Sequence, residues 1–200
     1  MIQQQVIFIS GWNPKENYAD YYDYISKINF DPQKQKVINY NKTLWKYLWD
    51  DYEYIRLEMP EKKFADYKAW KIYFEKVIPY IQEDCIIATT SLWSTFILKY
   101  LQENKLPINV SKLFLLAAAI HDSNIEVLGS FNFDNTNYSS IQKQCGQIYI
   151  YHSEDDMLVP FNQYEEIIQY FPHAVKRKFT DKWHFYFEER LIELEEDIKS

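Results

Sequence analysis

The chain has 200 residues, 47% of them hydrophobic, which fits one domain with a full buried core and excludes wholesale disorder. Its formal charge of −7 gives no general attraction to phosphate backbones, so nucleic acid is set aside as a partner. Only 3 glycines accompany 18 tyrosines and 6 tryptophans, and neither GxGxxG nor GxxxxGK occurs, so no nucleotide is expected.

In chain order, Val6–Ser10 is a short apolar run that reads as a strand. No charged leader or long apolar core precedes it, and no stretch approaches the roughly 20 apolar residues that span a bilayer, so a cytoplasmic protein without membrane contact is expected. Residues 13–43 are polar and rich in tyrosine (Tyr18, Tyr21, Tyr22, Tyr24). A helical pattern over Leu44–Asp51 leads to a weaker strand, Tyr54–Glu58, of the kind found at sheet edges. Phe64–Ile81 repeats apolar residues at helical spacing, among them Tyr67, Trp70, Phe74 and Val77. A strand at Cys85–Thr89 then runs into a helix at Ser91–Glu103, and another strand follows at Lys112–Ala118. Beyond residues 120–140 the pattern continues as strand Gln147–Tyr151, helix Phe161–Phe171, edge strand Val175–Phe179 and helix Phe187–Lys199.

Strands apolar on both faces belong in a parallel sheet covered by helices on both sides. The alternation predicts an α/β fold: a three-layer αβα sandwich around a mostly parallel, doubly wound sheet of about six strands, in one domain spanning residues 1–200. Segments 13–43 and 120–140 leave the carboxyl edge of that sheet, where open α/β folds place ligands, and read as lids or as plain surface loops. Cys85 and Cys145, each beside a core strand, read as buried free thiols.

Three residues just beyond strands carry chemistry. Ser91 follows the third strand at the mouth of a helix, Asp156 follows Gln147–Tyr151 in an acidic turn, and His184 follows the last strand. A serine nucleophile needs an exposed hydroxyl on a sharp turn, an imidazole to take its proton and a carboxylate to hold that imidazole. The order Ser, Asp, His is the order in which α/β-hydrolases supply them. Each residue also has a plain reading: Ser91 as a helix N-cap, Asp156 as a solvated cap, His184 as a packed ring between Trp183 and Phe185. A metal reading of His152, Asp155 and Asp156 fails on chemistry, because one imidazole and two carboxylates on one short turn lack separated ligand pairs. No metal is expected.

Gly11-Trp12 after the first strand, Leu57-Glu-Met-Pro60 after the second, Ser153-Glu-Asp-Asp156-Met-Leu-Val-Pro-Phe161 and Lys178-Phe-Thr-Asp-Lys-Trp-His184-Phe185 together resemble the small single-domain α/β-hydrolases of the YdeN type, related to the retinoblastoma-binding serine hydrolase. The resemblance runs from Val6 to about Glu188, with residues 13–43 as an insertion. It implies an α/β-hydrolase fold without a large cap domain, no cofactor and a small-molecule acyl substrate. It makes Asp156, the second of the aspartate pair, the triad acid, with Asp155 its exposed neighbour. The oxyanion donors would be the Leu92 N–H and one near Gly11 and Trp12. The family elbow is Gly-x-Ser-x-Gly, and here Thr89 and Trp93 hold the glycine places, while Trp183 stands where a glycine usually precedes the histidine. Trp93 and Trp183 are therefore expected to line the pocket of an esterase-like serine hydrolase. Alternatively, they block the site of a catalytically impaired pseudo-hydrolase that serves as a binding protein.

Overall fold

The computed structural model describes residues 4–12, 22, 26–27, 29, 51–60, 65–123, 127–134, 137–185 and 191–200, with 8–12 described by backbone alone. Six strands form one sheet: β1 (Gln4–Trp12), β2 (Tyr52–Pro60), β3 (Cys85–Thr90), β4 (Val110–Leu116), β5 (Cys145–Ser153) and β6 (Val175–Phe179). Their order is β2-β1-β3-β4-β5-β6 and every pairing is parallel, so the two weak apolar runs, β2 and β6, do lie at the edges. The helices are α1 (Tyr67–Val77), α2 (Leu92–Glu103), the short α3 (Ser139–Gln142), α4 (Phe161–Tyr170) and α5 (Ile192–Lys199). The helix expected at Leu44–Asp51 and the lid expected at 13–43 fall almost wholly outside the described residues.

Alternation along the strands splits the core into two layers. Ile7, Ile55, Ile87, Leu113, Leu115, Ile148 and Ile150 point to the face covered by α1, α2 and α4. Val6, Tyr54, Ile86, Phe114, Tyr149 and Tyr151 point to the other, where Leu191, Leu194 and Ile198 of the C-terminal segment meet them. A sheet buried on both sides needs apolar residues at consecutive positions, which is why these strands read as continuous runs.

Sequence order reverses between β1 and β3, and their ladder is short. It ends at Phe8↔Ala88, while β1 stays paired with β2 as far as Trp12↔Pro60. Gly11 and Trp12, expected in a loop after the strand, are therefore its last two residues. The sheet opens along the β3 side of β1, at the carboxyl edge, next to the turn that carries Ser91. Open α/β sheets place their ligand crevices at such a switch point.

The described part of 120–140 is anchored to the helix layer. Gln163 accepts the backbone N–H groups of Ile120 and His121 at 2.7 and 3.0 Å. Lys99 donates to the Ser130 and Asn132 carbonyls, and Leu128 and Phe131 are buried. These contacts fit the surface-loop reading of that segment. Among the described residues, no helix is long and apolar enough to cross a membrane.

Candidate active site

β3 runs to Thr90, α2 begins at Leu92, and Ser91 alone makes the turn between them with φ 53° and ψ −130°. A non-glycine residue held there costs on the order of 1–3 kcal/mol, so the surroundings must impose the conformation. They do so through the backbone. The Ser91 N–H donates to the Leu116 carbonyl at the end of β4 (2.9 Å), and the Ser91 carbonyl accepts from Ser94 N at 2.9 Å. The Ser91 hydroxyl makes no capping hydrogen bond, which removes the N-cap reading, and the residue is buried in the turn at 5% exposure.

The substitutions at the elbow explain themselves in packing. Thr89, in a glycine place, is fully buried; its hydroxyl donates to the Phe114 carbonyl (3.0 Å) and accepts from the buried Ser94 hydroxyl (2.9 Å). It thus ties β3, β4 and the first turn of α2 together. Trp93, in the other glycine place, lays its ring on Trp70 of α1, with centroids 4.3 Å apart and planes 13° apart. Trp70 in turn donates its indole N–H to the Pro60 carbonyl at the end of β2 (2.7 Å). The half-buried Trp93 therefore finishes an aromatic wall rather than forcing the helix aside.

Asp156 and His184 meet as expected. His184 Nδ1 donates to Asp156 Oδ2 at 2.7 Å, with both side chains fully buried. Asp156 Oδ1 accepts the N–H groups of Leu158 and Val159 at 2.8 and 3.0 Å. Burial alone would raise this carboxyl's pKa, but the His184 hydrogen bond and the two backbone donors outweigh it and hold the group below the usual carboxylate range. An ionised Asp156 fixes the His184 tautomer with its proton on Nδ1, leaving Nε2 as the basic nitrogen. Among the described residues, no hydrogen bond joins the Ser91 hydroxyl to His184. Catalytic hydrogen bonds are commonly long before a substrate binds.

Two neighbours escape a reading by residue type. His152, inside β5, is buried; its Nε2 donates to the Val159 carbonyl (2.9 Å) and lies 3.7 Å from Asp156 Oδ2. Burial keeps it below the usual imidazole pKa, against the opposing pull of the Val159 carbonyl and Asp156. A neutral imidazole therefore closes the acid turn from beneath. Asp155 is exposed, as expected, yet its Oδ1 accepts from Trp183 N (2.9 Å) and from Ser153 Oγ (2.5 Å). Trp183 itself sits at φ 46° with its ring 6.2 Å from that of His184, and Phe185 sits at φ 59°. The glycine usual before the histidine is thus replaced by a residue that bears the left-handed strain. Among the described residues, no cluster of His, Cys, Asp and Glu is arranged to hold a metal ion.

No protein-family model matches this sequence, and no curated protein matches it significantly. Solved structures do match, over nearly the whole chain. The ydeN gene product of B. subtilis superposes with TM-score 0.70 at 16% identity, covering 98% of this chain and 97% of its own. The meta-cleavage product hydrolase CumD of Pseudomonas fluorescens IP01 gives 0.65 at 11% identity, over 98% and 89%. The esterase domain of a Rhodothermus marinus protein gives 0.56 at 10% identity, over 93% and 79%. With its parallel six-stranded sheet, the turn between β3 and α2, and these neighbours, the chain has the α/β-hydrolase fold of the YdeN type.

Proposed function

We propose that this protein is a serine hydrolase that cleaves small carboxylic esters or related acyl compounds. The observation that carries the proposal is the buried Asp156–His184 hydrogen bond of 2.7 Å, formed at the same sheet edge as the strained Ser91 turn. The fold neighbours support it in kind, one being a hydrolase and one an esterase domain.

In this reading, Ser91 Oγ attacks the acyl carbon while His184 Nε2 takes its proton, and Asp156 stabilises the imidazolium. The negative oxygen of the tetrahedral intermediate faces the Leu92 N–H, one of the amides a helix leaves without an internal acceptor, and a backbone N–H from the end of β1 near Gly11 and Trp12. The intermediate collapses, His184 returns the proton to the departing alkoxide, and water repeats the sequence to release the acid. Nothing in these steps calls on a cofactor or metal. Trp93 and Trp183 line the approach and favour a small or apolar acyl group.

Hydrolysis of p-nitrophenyl esters of increasing acyl length tests the reading. The expected result is turnover that is greatest for short chains and falls by at least about a thousandfold in Ser91→Ala and in His184→Gln. A folded wild-type protein that hydrolyses none of the series would transfer the site to the binding-protein reading motivated by Trp93 and Trp183.

A further inference from the structure

The histidine loop is short, strained and displaced in sequence from the acid it serves. Trp183 and Phe185 flank His184 on both sides at φ 46° and 59°, so the imidazole rides on a segment that would relax if released. The structure shows what holds it. The buried Ser153 hydroxyl accepts the Lys182 N–H at 3.0 Å and donates to Asp155 Oδ1 at 2.5 Å. The same Asp155 oxygen accepts the Trp183 N–H at 2.9 Å. The Phe185 N–H closes the turn onto the Lys182 carbonyl at 3.0 Å. Further down, the Glu154 N–H donates to the Phe179 carbonyl (2.8 Å), continuing the β5–β6 ladder into the turn.

We infer that Asp155 and Ser153 are positioning residues for His184: they clamp the backbone of residues 182 and 183 to the acid turn and so set the imidazole against Asp156. The inference rests on the reading of His184 as the catalytic base. One turn thereby holds the base twice, through its side chain by Asp156 and through its backbone by Asp155. Neither Asp155 nor Ser153 touches the reacting atoms. The working feature of Asp155 is an acceptor oxygen at a fixed place, which an asparagine carboxamide also offers, rather than its charge.

The test compares Asp155→Ala and Asp155→Asn with wild type on a short p-nitrophenyl ester. Asp155→Ala is expected to lower kcat by about tenfold to a hundredfold with KM within about twofold, as a misplaced base does. Asp155→Asn is expected to recover most of that loss. An unchanged kcat in Asp155→Ala, or an equal fall in both variants, overturns the inference. A second measurement stands apart from activity. The His184 Nδ1 proton, hydrogen-bonded to Asp156, should give a downfield NMR resonance that is sharp in wild type and Asp155→Asn and broadened or lost in Asp155→Ala. If that resonance is identical in all three, the clamp is overturned. If it behaves as expected in a protein that hydrolyses nothing, the clamp stands and only the catalytic reading falls.

Discussion

Ser91 is held at φ 53° by backbone bonds on both sides of the turn, in a region that glycine enters freely and serine does not. Strain of this kind trades stability for a hydroxyl kept out of the helix cap. Ser91→Gly should therefore raise the unfolding free energy by about 1 kcal/mol while removing the hydroxyl, and Ser91→Ala should remove it with no such gain. Urea midpoints of the three proteins check this, and a Gly variant no more stable than the Ala variant would contradict the strain. Thr89 carries the opposite lesson. A glycine would fit the elbow of related folds, but here the Thr89 hydroxyl satisfies both Ser94 and the Phe114 carbonyl in a fully buried place. Thr89→Val should cost about 1–3 kcal/mol by leaving those groups unpaired, and Thr89→Ser distinctly less. Thermal melts read the difference, and equal losses in the two variants would count against the hydrogen bonds as its source. Residue type alone could not disclose either point. A serine at a helix start usually caps, and only the folded hydrogen bonding shows that this one does not. The destination of the Trp93 ring was equally hidden, because it depends on Trp70, 23 positions upstream, and on tertiary packing.

Among the elements, the last helix is fastened to the far face of the sheet by a partly buried polar network. Asp197 of α5 accepts a bidentate pair from Arg177 of β6, at 2.9 and 2.6 Å, and a further bond from the Tyr151 hydroxyl. Lys112 of β4 donates to the Asp197 and Ile198 carbonyls at 3.0 Å each. Burial pushes the Asp197 carboxyl upward, but the Arg177 and Tyr151 hydrogen bonds prevail and hold it below its ordinary value. A depressed folded pKa means that the unfolded chain binds the proton first. The network's contribution is thus whole above a pH of about 4 and fades as pH falls through the folded value. Asp197→Asn should lose about 1–2 kcal/mol at neutral pH and lose part of the acid dependence of stability below pH 4. Denaturant titrations across that range test it, and an unchanged acid slope would contradict the role given to Asp197. At this scale the sequence was readable. The four central strands were legible as the uninterrupted apolar runs that two-sided burial leaves, and the edge pair as weaker ones. The end of β1 was not, since Gly11 and Trp12 resemble a loop until pairing with Met59 and Pro60 draws them into the ladder. The places of Asp156 and His184, which a hydrogen bond joins, were legible from their positions after strands. The role of Asp155 was not, because its partner at Trp183 lies 28 residues on and is a backbone amide that any residue would supply.

For the whole molecule, two features follow from one sheet buried on both faces. The first is chemical silence in the core. Cys85 and Cys145 are free, and burial raises both thiols to about 12, with Cys145 adding to the effect on Cys85. Neither should react with a disulfide reagent at pH 8 in the folded protein, and both should react on unfolding; rapid native labelling would contradict the packing of β3 and β5. Because the unfolded thiols ionise near pH 8.5, stability should decline as pH rises from there toward 12. The second feature is the switch point, where β1 parts from β3 and the turns bearing Ser91, Asp156 and His184 share one edge. In the proposed reading Ser91 acts there as the nucleophile, and a fluorophosphonate probe followed by peptide mass spectrometry reads that most directly. Wild type should carry one phosphonyl group on Ser91, and Ser91→Ala should carry none. A folded wild-type protein that stays unlabelled, or a label that persists in Ser91→Ala, would contradict it.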